Sequence, residues 1–438
     1  RKLRFTAQRT MSTAQQLYEG LNVGSDGPVG LITYMRTDSP QLAPRAIEET
    51  RKFIQDRYGK SYLPSSVRRY SSKSKVAQEA HEAIRPTDVN KLPSKNDLNG
   101  EEKDLYELIW NRAVSSQMES ANLTQTEVFI SSDSKDLVFK ATGSQVVFNG
   151  FLEIYEEGSD NEEESKDSIL PADLKVGDKL SIESATHEQH FTNPPPRYTE
   201  ASLIKELEEK GIGRPSTYAS IMNSIKRREY ASLQNKQFHP ASRGRVVVGF
   251  LDNYFSEYFK YDFTAEMEES LDEIARGNED WRTYLADFYN GSEGFEARLV
   301  EKLDTIDPFE ARTIILSDLT PAIRVGKYGP YLELQREDDS LRADLPDGVS
   351  PAELSDEEAL ELLKRRAEGP AQLGADPETG EPIFLMTGRF GPYVQRGEVV
   401  EGGDKPKRAS LPKGVELENA TLEMAVKLLA MPSELGKH

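Results

Sequence analysis

Cysteine is absent from this chain of 438 residues. Its absence excludes disulfides and thiolate zinc centres and suits a reducing, cytoplasmic setting. Absent too is any uninterrupted apolar run of roughly 18 residues, so no membrane-spanning helix is expected. The basic start, Arg1-Lys2-Leu3-Arg4, leads into no apolar signal core, and the first methionine is Met11. That is the pattern expected of a chain that begins inside a larger protein. Nucleotide-hydrolysis motifs fail residue by residue. Gly59-Lys60-Ser61 ends like a phosphate-binding loop, but Ile54 stands where its first glycine belongs. Gly211-Ile212-Gly213-Arg214-Pro215-Ser216 lacks the third glycine of a dinucleotide fingerprint. His187 and His190 have no partner at metal-ligand spacing and read as structural. Positive charge is the scarcer sign, at a formal net charge of −20.

That deficit is uneven. Residues 1–100 hold 17 basic against 10 acidic side chains, and residues 201–250 hold 9 against 4. Residues 151–200 and 251–300 each hold 4 against 13. A basic surface in an acidic body concentrates a polyanion at one place and repels it elsewhere. The acidic run at 156–167 is explained by solubility alone.

Length and pattern together imply an α+β chain of several domains. Helical stripes at Met11, Ala14, Leu17 and Tyr18, at Ile47, Phe53 and Ile54, and at Leu105, Leu108, Ile109, Ala113 and Met118 imply a helical domain over 1–121. Alternation in Thr126, Val128 and Ile130, then Leu137, Phe139 and Ala141, continued at 180–182, implies antiparallel sheet over 122–192. After Asn193-Pro194-Pro195-Pro196, helices resume over 193–303, and Pro215 opens one that carries Tyr218, Ile221, Met222 and Ile225. An internal repeat then divides 304–368 from 369–438. Gly326-Lys327-Tyr328-Gly329-Pro330-Tyr331 recurs 62 residues on as Gly388-Arg389-Phe390-Gly391-Pro392-Tyr393. Each unit reads as a small sheet with one helix across it, the cation and aromatic on a strand and the Gly-Pro pair turning the chain. The aromatics either stack on single-stranded nucleic acid or pack the hairpin core, while Lys327 and Arg389 read as nucleic-acid contacts.

The most informative stretch runs from Gly30 through Leu31-Ile32-Thr33-Tyr34-Met35-Arg36-Thr37-Asp38 to Ser39. Leu31-Ile32 reads as a short buried strand and Asp38-Ser39-Pro40 as a helix start, so Tyr34 falls where strand gives way to helix. A phenol is a weak nucleophile that must be helped toward phenolate. Arg36 beside it can clamp a phosphate oxygen and stabilise the charge that attack builds there. In Ala80-His81-Glu82-Ala83-Ile84-Arg85-Pro86-Thr87, His81 and Arg85 lie four apart and share a face if helical. Arg214, Ser216 and Thr217 sit at a helix start, where free N–H groups favour an anion, although simple capping accounts for Ser216. Lys226, Arg227 and Arg228 follow as a phosphate-binding patch or a solvated face.

Together with Gln189-His190-Phe191-Thr192 and Tyr261-Asp262-Phe263-Thr264-Ala265-Glu266-Met267-Glu268, these segments occur in the order of bacterial type IA DNA topoisomerases. The chain resembles that family from about Arg4 to Val300. The Gly-Pro-Tyr units resemble the C-terminal repeats of zinc-lacking bacterial members and are foreign to topoisomerase III. The resemblance implies a helical catalytic domain with the tyrosine, a β-sheet gate or arch, a second helical domain and then the repeats. It implies Tyr34, Arg36 and His81 as catalytic residues. It implies Thr33, Asp38, Glu82, Arg85, Arg214, Ser216, Thr217, Arg228, Lys327 and Arg389 as DNA contacts.

The implied reaction needs no ATP. Tyr34 attacks a phosphate of single-stranded, underwound DNA, giving a 5′-phosphotyrosine and a free 3′-hydroxyl. A second strand passes, the break is resealed, and negative supercoils relax. In the family an N-terminal TOPRIM domain supplies the acidic residues that hold Mg²⁺, and no acidic cluster of that type stands at a suitable place here. Mg²⁺ is therefore expected for the parent enzyme and neither Mg²⁺ nor zinc on this chain, which should bind DNA without completing relaxation. The family's first gate strands also lie upstream, so an unpaired sheet edge is expected. The setting implied is the cytoplasm, at the nucleoid. Two other readings stand beside this one: a DNA-binding module without catalysis, and an interaction protein whose acidic repeats dock a partner such as RNA polymerase.

Overall fold

The computed structural model describes residues 1–22, 27–71, 81–95, 98, 100–131, 138–157, 170, 174–184, 186–291, 294–314, 316, 319–336, 339–346, 349–367, 371–388, 391–398, 406–412, 415 and 419–431. Ala80, Leu137, the acidic run at 158–167, Arg389 and Phe390 lie outside the described residues. The chain is a mixed α+β protein that divides into two compact units, Arg1–Pro240 with Phe255–Glu301, and Ala241–Tyr254 with Lys302–His438. Among the described residues no helix is long and apolar enough to cross a membrane.

The first unit opens with helix α1 (Ala7–Glu19), the short pair β1 (Leu21–Asn22) and β2 (Pro28–Val29), and helices α2 (Pro44–Tyr58) and α3 (Gly100–Ser115). Each end has a local cause. Thr6 Oγ1 accepts the Arg9 N–H to start α1, and Gly20 at φ 118° ends it. Pro44 stands in the first turn of α2, where its missing N–H has no helical partner to lose. The stripes on α1 and α2 bury Ala14, Leu17, Ile47 and Ile54 as expected. On α3 the buried face is turned, to Leu105, Tyr106, Trp110 and Val114, while Leu108, Ile109 and Ala113 are only partly covered. The aromatics go inward because their polar ends find carbonyls. The Tyr106 hydroxyl donates to Lys91 O (2.7 Å) and Trp110 Nε1–H to Val89 O (2.9 Å), which pins the 88–92 turn to the core.

Strands β3 (Asn122–Ser131) and β4 (Val138–Phe148) form one long antiparallel hairpin. Neither has a further neighbour among the described residues, and Leu123, Phe129, Phe139 and Val147 are mostly exposed. The sheet does not continue at 180–182, where Ile182 is 78% exposed. An alternating pattern with no second layer to bury it among the described residues leaves that stretch irregular. Then come α4 (Glu200–Glu209), started by a reciprocal Thr199–Ser202 capping box, α5 (Tyr218–Arg227), and the hairpin β5 (Ala231–Gln234) and β6 (Gln237–Pro240). Helix α6 (Ser242–Phe259) is interrupted by non-helical backbone at Phe255, where the unit boundary falls. Helices α7 (Tyr261–Arg276), α8 (Trp281–Tyr289) and α9 (Phe295–Leu303) follow. Rings of Tyr258, Phe263, Phe288 and Phe295, with centroids 5.1 to 6.3 Å apart, hold these last helices together.

In the second unit, β7 (Thr313–Ile314), β8 (Ala322–Gly326), β9 (Gly329–Gln335) and β10 (Ser340–Asp344) form an antiparallel sheet in the order β10-β9-β8-β7. Helix α10 (Asp356–Ala367) covers it, with Ala359 and Leu363 packed on Ile323 and Leu332. The pattern is repeated by β11 (Ala371–Ala375), β12 (Pro382–Gly388), β13 (Gly391–Arg396), β14 (Lys407–Ser410) and helix α11 (Leu422–Ala430), with Ala425 and Leu429 on Ile383 and Val394. Lys327-Tyr328 forms the two-residue tip of the β8–β9 hairpin, while Gly329-Pro330 begins the next strand. The expected roles of those dipeptides are thus exchanged, because Gly329 at φ 129° supplies the backbone that leaves so tight a turn.

Leu17 is fully buried in the first core, whereas Leu285 on α8 is half exposed. Leu17→Ala should cost about 2–5 kcal/mol, and Leu285→Ala less than about 1 kcal/mol. Urea unfolding followed by tryptophan fluorescence compares the two, and equal losses would contradict the position assigned to this core.

Candidate nucleic-acid interface

The first motif is placed by backbone pairing on both sides. Leu31 N–H donates to Leu17 O (2.8 Å), Thr33 N–H to Arg85 O (3.0 Å) and Thr87 N–H to Leu31 O (2.9 Å), and Ile32 bridges Pro86. Gly30 allows the approach to α1, since a Cβ there would stand 2.6 Å from Tyr18 O. Thr33 Oγ1 donates to Ala83 O (2.8 Å) and accepts the Arg85 N–H (2.9 Å). The next side chain, Tyr34, lies edge-on to Tyr18 (ring centroids 5.4 Å) and tilted against His81 (5.2 Å). His81 Nδ1 is buried and has no hydrogen-bond partner among the described residues. Arg36 is exposed and makes no ion pair among them.

Two local expectations are corrected here. Residues 31–33 make only an isolated bridge, and the helix after them starts at Pro44, not Ser39. Thr37 Oγ1 accepts the Ser39 N–H (3.1 Å) and Ser39 Oγ the Gln41 N–H (3.3 Å), side-chain bonds that favour turn over helix. Residues 81–85 are not helical either. Arg85 precedes Pro86, which disfavours helical backbone, and its N–H and C=O are taken by Thr33. Its guanidinium turns back on Glu82, with Nε and Nη2 each 2.9 Å from the carboxylate. Glu82 also accepts the Ala43 N–H (3.2 Å) at the start of α2.

The third motif is anchored by carboxylates. Arg214 Nη2 lies 2.6 Å from Asp272 and its Nη1 3.6 Å from Glu268, both on α7. Pro215 does not open the helix, because α5 begins at Tyr218. Thr217 Oγ1 is occupied with Arg214, accepting its N–H (2.9 Å) and donating to its carbonyl (3.0 Å), and it caps no helical N–H. Ser216 is exposed. Lys226 pairs with Glu200 (2.6 Å), which also accepts the Ala7 N–H (2.7 Å) at the start of α1. Arg228 is exposed at the end of α5. Burial pushes the Tyr218 phenol up to about 12; Glu208, Asp38 and Glu268 push the same way and Arg214 opposes them. Asp38 and the third motif are therefore within electrostatic reach of one another.

In the second unit Lys327 lies over its neighbour Tyr328 (5.5 Å), and Tyr328 is 86% exposed, so it does not pack the hairpin core. Tyr18, Glu200, Tyr218 and Asp272 were not singled out from sequence as site residues. Tyr18 and Tyr218 carried only a helical-stripe signal. Asp272 carried none beyond its place just after the 261–268 segment. Among the described residues no three His, Asp or Glu side chains could together hold a metal ion, and Glu82, Glu200 and Asp272 are engaged with N–H groups or cations. These residues do not fit an Mg²⁺ site.

Gly30→Ala should destabilise the first unit by about 1–3 kcal/mol through forced separation from Tyr18. Gly249→Ala, inside α6 with nothing within 4 Å of the added carbon, should be neutral or stabilise by up to about 1 kcal/mol. Denaturant midpoints for the pair check this, and a harmless Gly30→Ala would contradict the close approach.

A family model described as DNA topoisomerase matches residues 1–286, and one described as topoisomerase C-terminal repeat matches 322–372 and 376–438. DNA topoisomerase 1 of Synechococcus elongatus is 46% identical over 100% of this chain and 49% of its own length. That of Rickettsia bellii is 42% identical over 100% of this chain and 56% of its own. The structure of full-length topoisomerase I from Thermotoga maritima matches with a TM-score of 0.56 and 31% identity, over 79% of this chain and 56% of that one. The chain thus spans about half the length of the curated relatives it matches.

Proposed function

The chain belongs to the bacterial type IA DNA topoisomerases, as a topoisomerase I with C-terminal repeats, and on that premise we propose that Tyr34 is the nucleophile that breaks one DNA strand. Its hydroxyl oxygen attacks a backbone phosphorus, the P–O3′ bond breaks, and the chain keeps the 5′ phosphate while the 3′ oxygen leaves as a hydroxyl. The reverse attack reseals the strand, so the ester conserves the bond energy and ATP is not consumed. The supporting observation is the fixed approach of Tyr34 to His81, with Arg36 exposed two residues on.

In this reading Arg36 binds the phosphate oxygens as negative charge grows on them. His81 moves a proton at the phenol or donates to the phosphate. Thr33, Glu82 and Arg85 hold the DNA site in shape, and Asp38, Arg214, Ser216, Thr217 and Arg228 line the path of the strand. Arg214 and Arg85, paired with carboxylates, serve chiefly to position their segments. The exposed Lys327–Tyr328 tip, and Arg389 by its place in the repeat, suit a single strand better than a protein such as RNA polymerase. Mg²⁺ belongs to the whole enzyme, and no step here runs through it.

Within a protein of its relatives' full length, Tyr34→Phe should bind single-stranded DNA and form no denaturant-stable adduct, and a persisting adduct mapped elsewhere would remove the assignment. Arg36→Ala should slow cleavage by roughly 10²- to 10³-fold with a smaller change in affinity, as loss of one preorganised donor does. Equal losses in rate and affinity would make Arg36 a plain anchor. The 438-residue chain alone should bind single-stranded DNA with affinity falling steeply as salt rises, and should not relax supercoiled plasmid with Mg²⁺. Gel assays of binding and relaxation side by side decide that point.

A further inference from the structure

A cavity of about 200 Å³ opens beside the first motif, bounded by Leu42, Ile47, Arg68, Arg69, Tyr70 and Gln117. Gln41 forms a further wall, and its carbonyl accepts the Ala83 N–H (2.7 Å), so the cavity shares a side with the segment that carries His81. Its polar groups are arranged unusually. Gln117 is fully buried; its amide donates to Arg68 O (3.2 Å), yet its Oε1 has no hydrogen-bond partner among the described residues. Arg68 gives Nη2–H to Ser120 Oγ (2.8 Å), while its Nε is buried and equally unpartnered. Buried polar atoms are rarely left unpaired, so an acceptor and a donor without partners in the walls of one cavity mark a place for a complementary edge.

The rest of the lining restricts what that edge belongs to. Tyr70 is 43% exposed with its hydroxyl tied to Ser116 O (2.8 Å), which fixes a ring face at the mouth. Leu42 and Ile47 supply apolar walls, and Arg69 is an exposed cation with no ion pair among the described residues. A flat group with adjacent donor and acceptor atoms, a stacking face and a phosphate attached has these complements. We infer that this cavity takes one unstacked base of the single strand held at Tyr34, with Gln117 and Arg68 on the base edge, Tyr70 on its face and Arg69 on the flanking phosphate. The inference rests on the DNA reading above and adds to it a base-dependent contact.

The test compares two single-stranded dodecamers, one carrying bases and one of abasic deoxyribose phosphates, binding to the full chain. In the unaltered chain the base-bearing strand should bind more tightly. Gln117→Leu, or Tyr70→Ala should the buried change impair folding, should reduce that ratio by about five- to tenfold, the scale of one lost base contact. Arg69→Ala should weaken both strands alike, leave the ratio unchanged, and lower the slope of log affinity against log salt by about one. A ratio near one in the unaltered chain, or a ratio unmoved by both pocket variants, overturns the base pocket while leaving the DNA reading standing. Failure to bind either strand overturns both.

Discussion

Antiparallel pairing of residues 31–33 with 83–87 is the constraint on which the rest of the candidate site depends. It is short, an isolated bridge with a few backbone bonds, and so it needs support from both sides. Leu17 O on α1 supplies one side, and Gly30 makes that approach possible. The 88–92 turn supplies the other, held by the inward ends of Tyr106 and Trp110. Burial pushes the Tyr106 phenol well up, so it remains a hydroxyl donor throughout the ordinary pH range. A hydrophobic core thus fixes a pairing of a few residues, and the pairing fixes the ring of Tyr34 against His81.

Charge is arranged on the same logic. The chain carries a net −20, and part of that acid excess pins the cations of the motifs. Glu82 holds Arg85, Asp272 and Glu268 hold Arg214, and Glu200 holds Lys226. Glu82 and Glu200 also take N–H groups at the starts of α2 and α1, so each joins a motif to a helix terminus. Arg36 stands apart from this scheme, exposed and unpaired among the described residues, which is what a group that meets an incoming anion requires. On the proposed reading, the paired arginines shape the site and Arg36 binds in it.

Much of the fold was legible in the sequence because helices announce themselves at their ends. Glycine after Glu19 and after Tyr58 and the stripes before them marked the bodies and ends of α1 and α2, although the start of α2 falls at Pro44 and not at the expected Ser39. The repeat offset gave the two sheet-and-helix units of the second half. What escaped was set by tertiary partners. The helical spacing of His81 and Arg85 was overridden by Pro86 and by pairing with Thr33. Alternation at 180–182 found no layer to bury it among the described residues. The face of α3 turned because two aromatics reached carbonyls far along the chain. Lys327-Tyr328 and Gly329-Pro330 changed places between turn and strand, since only the backbone of Gly329 tells which pair bends. The separate motifs were readable one by one; that Glu200 and Asp272 would bind them together was not.

The dependence of Tyr34 on its short pairing is best tested at Thr33, whose hydroxyl bonds both ways across it. Thr33→Val keeps the shape and removes those bonds, and Thr33→Ser restores them. Within a protein of its relatives' full length, the rate of covalent adduct formation and the affinity for single-stranded DNA should be measured together. The valine variant should lose about 10- to 100-fold in rate, the scale of a nucleophile displaced by about 1 Å. Its affinity should stay within about twofold, and the serine variant should recover most of the rate. An unchanged rate in Thr33→Val would contradict the claim that this pairing positions the proposed nucleophile.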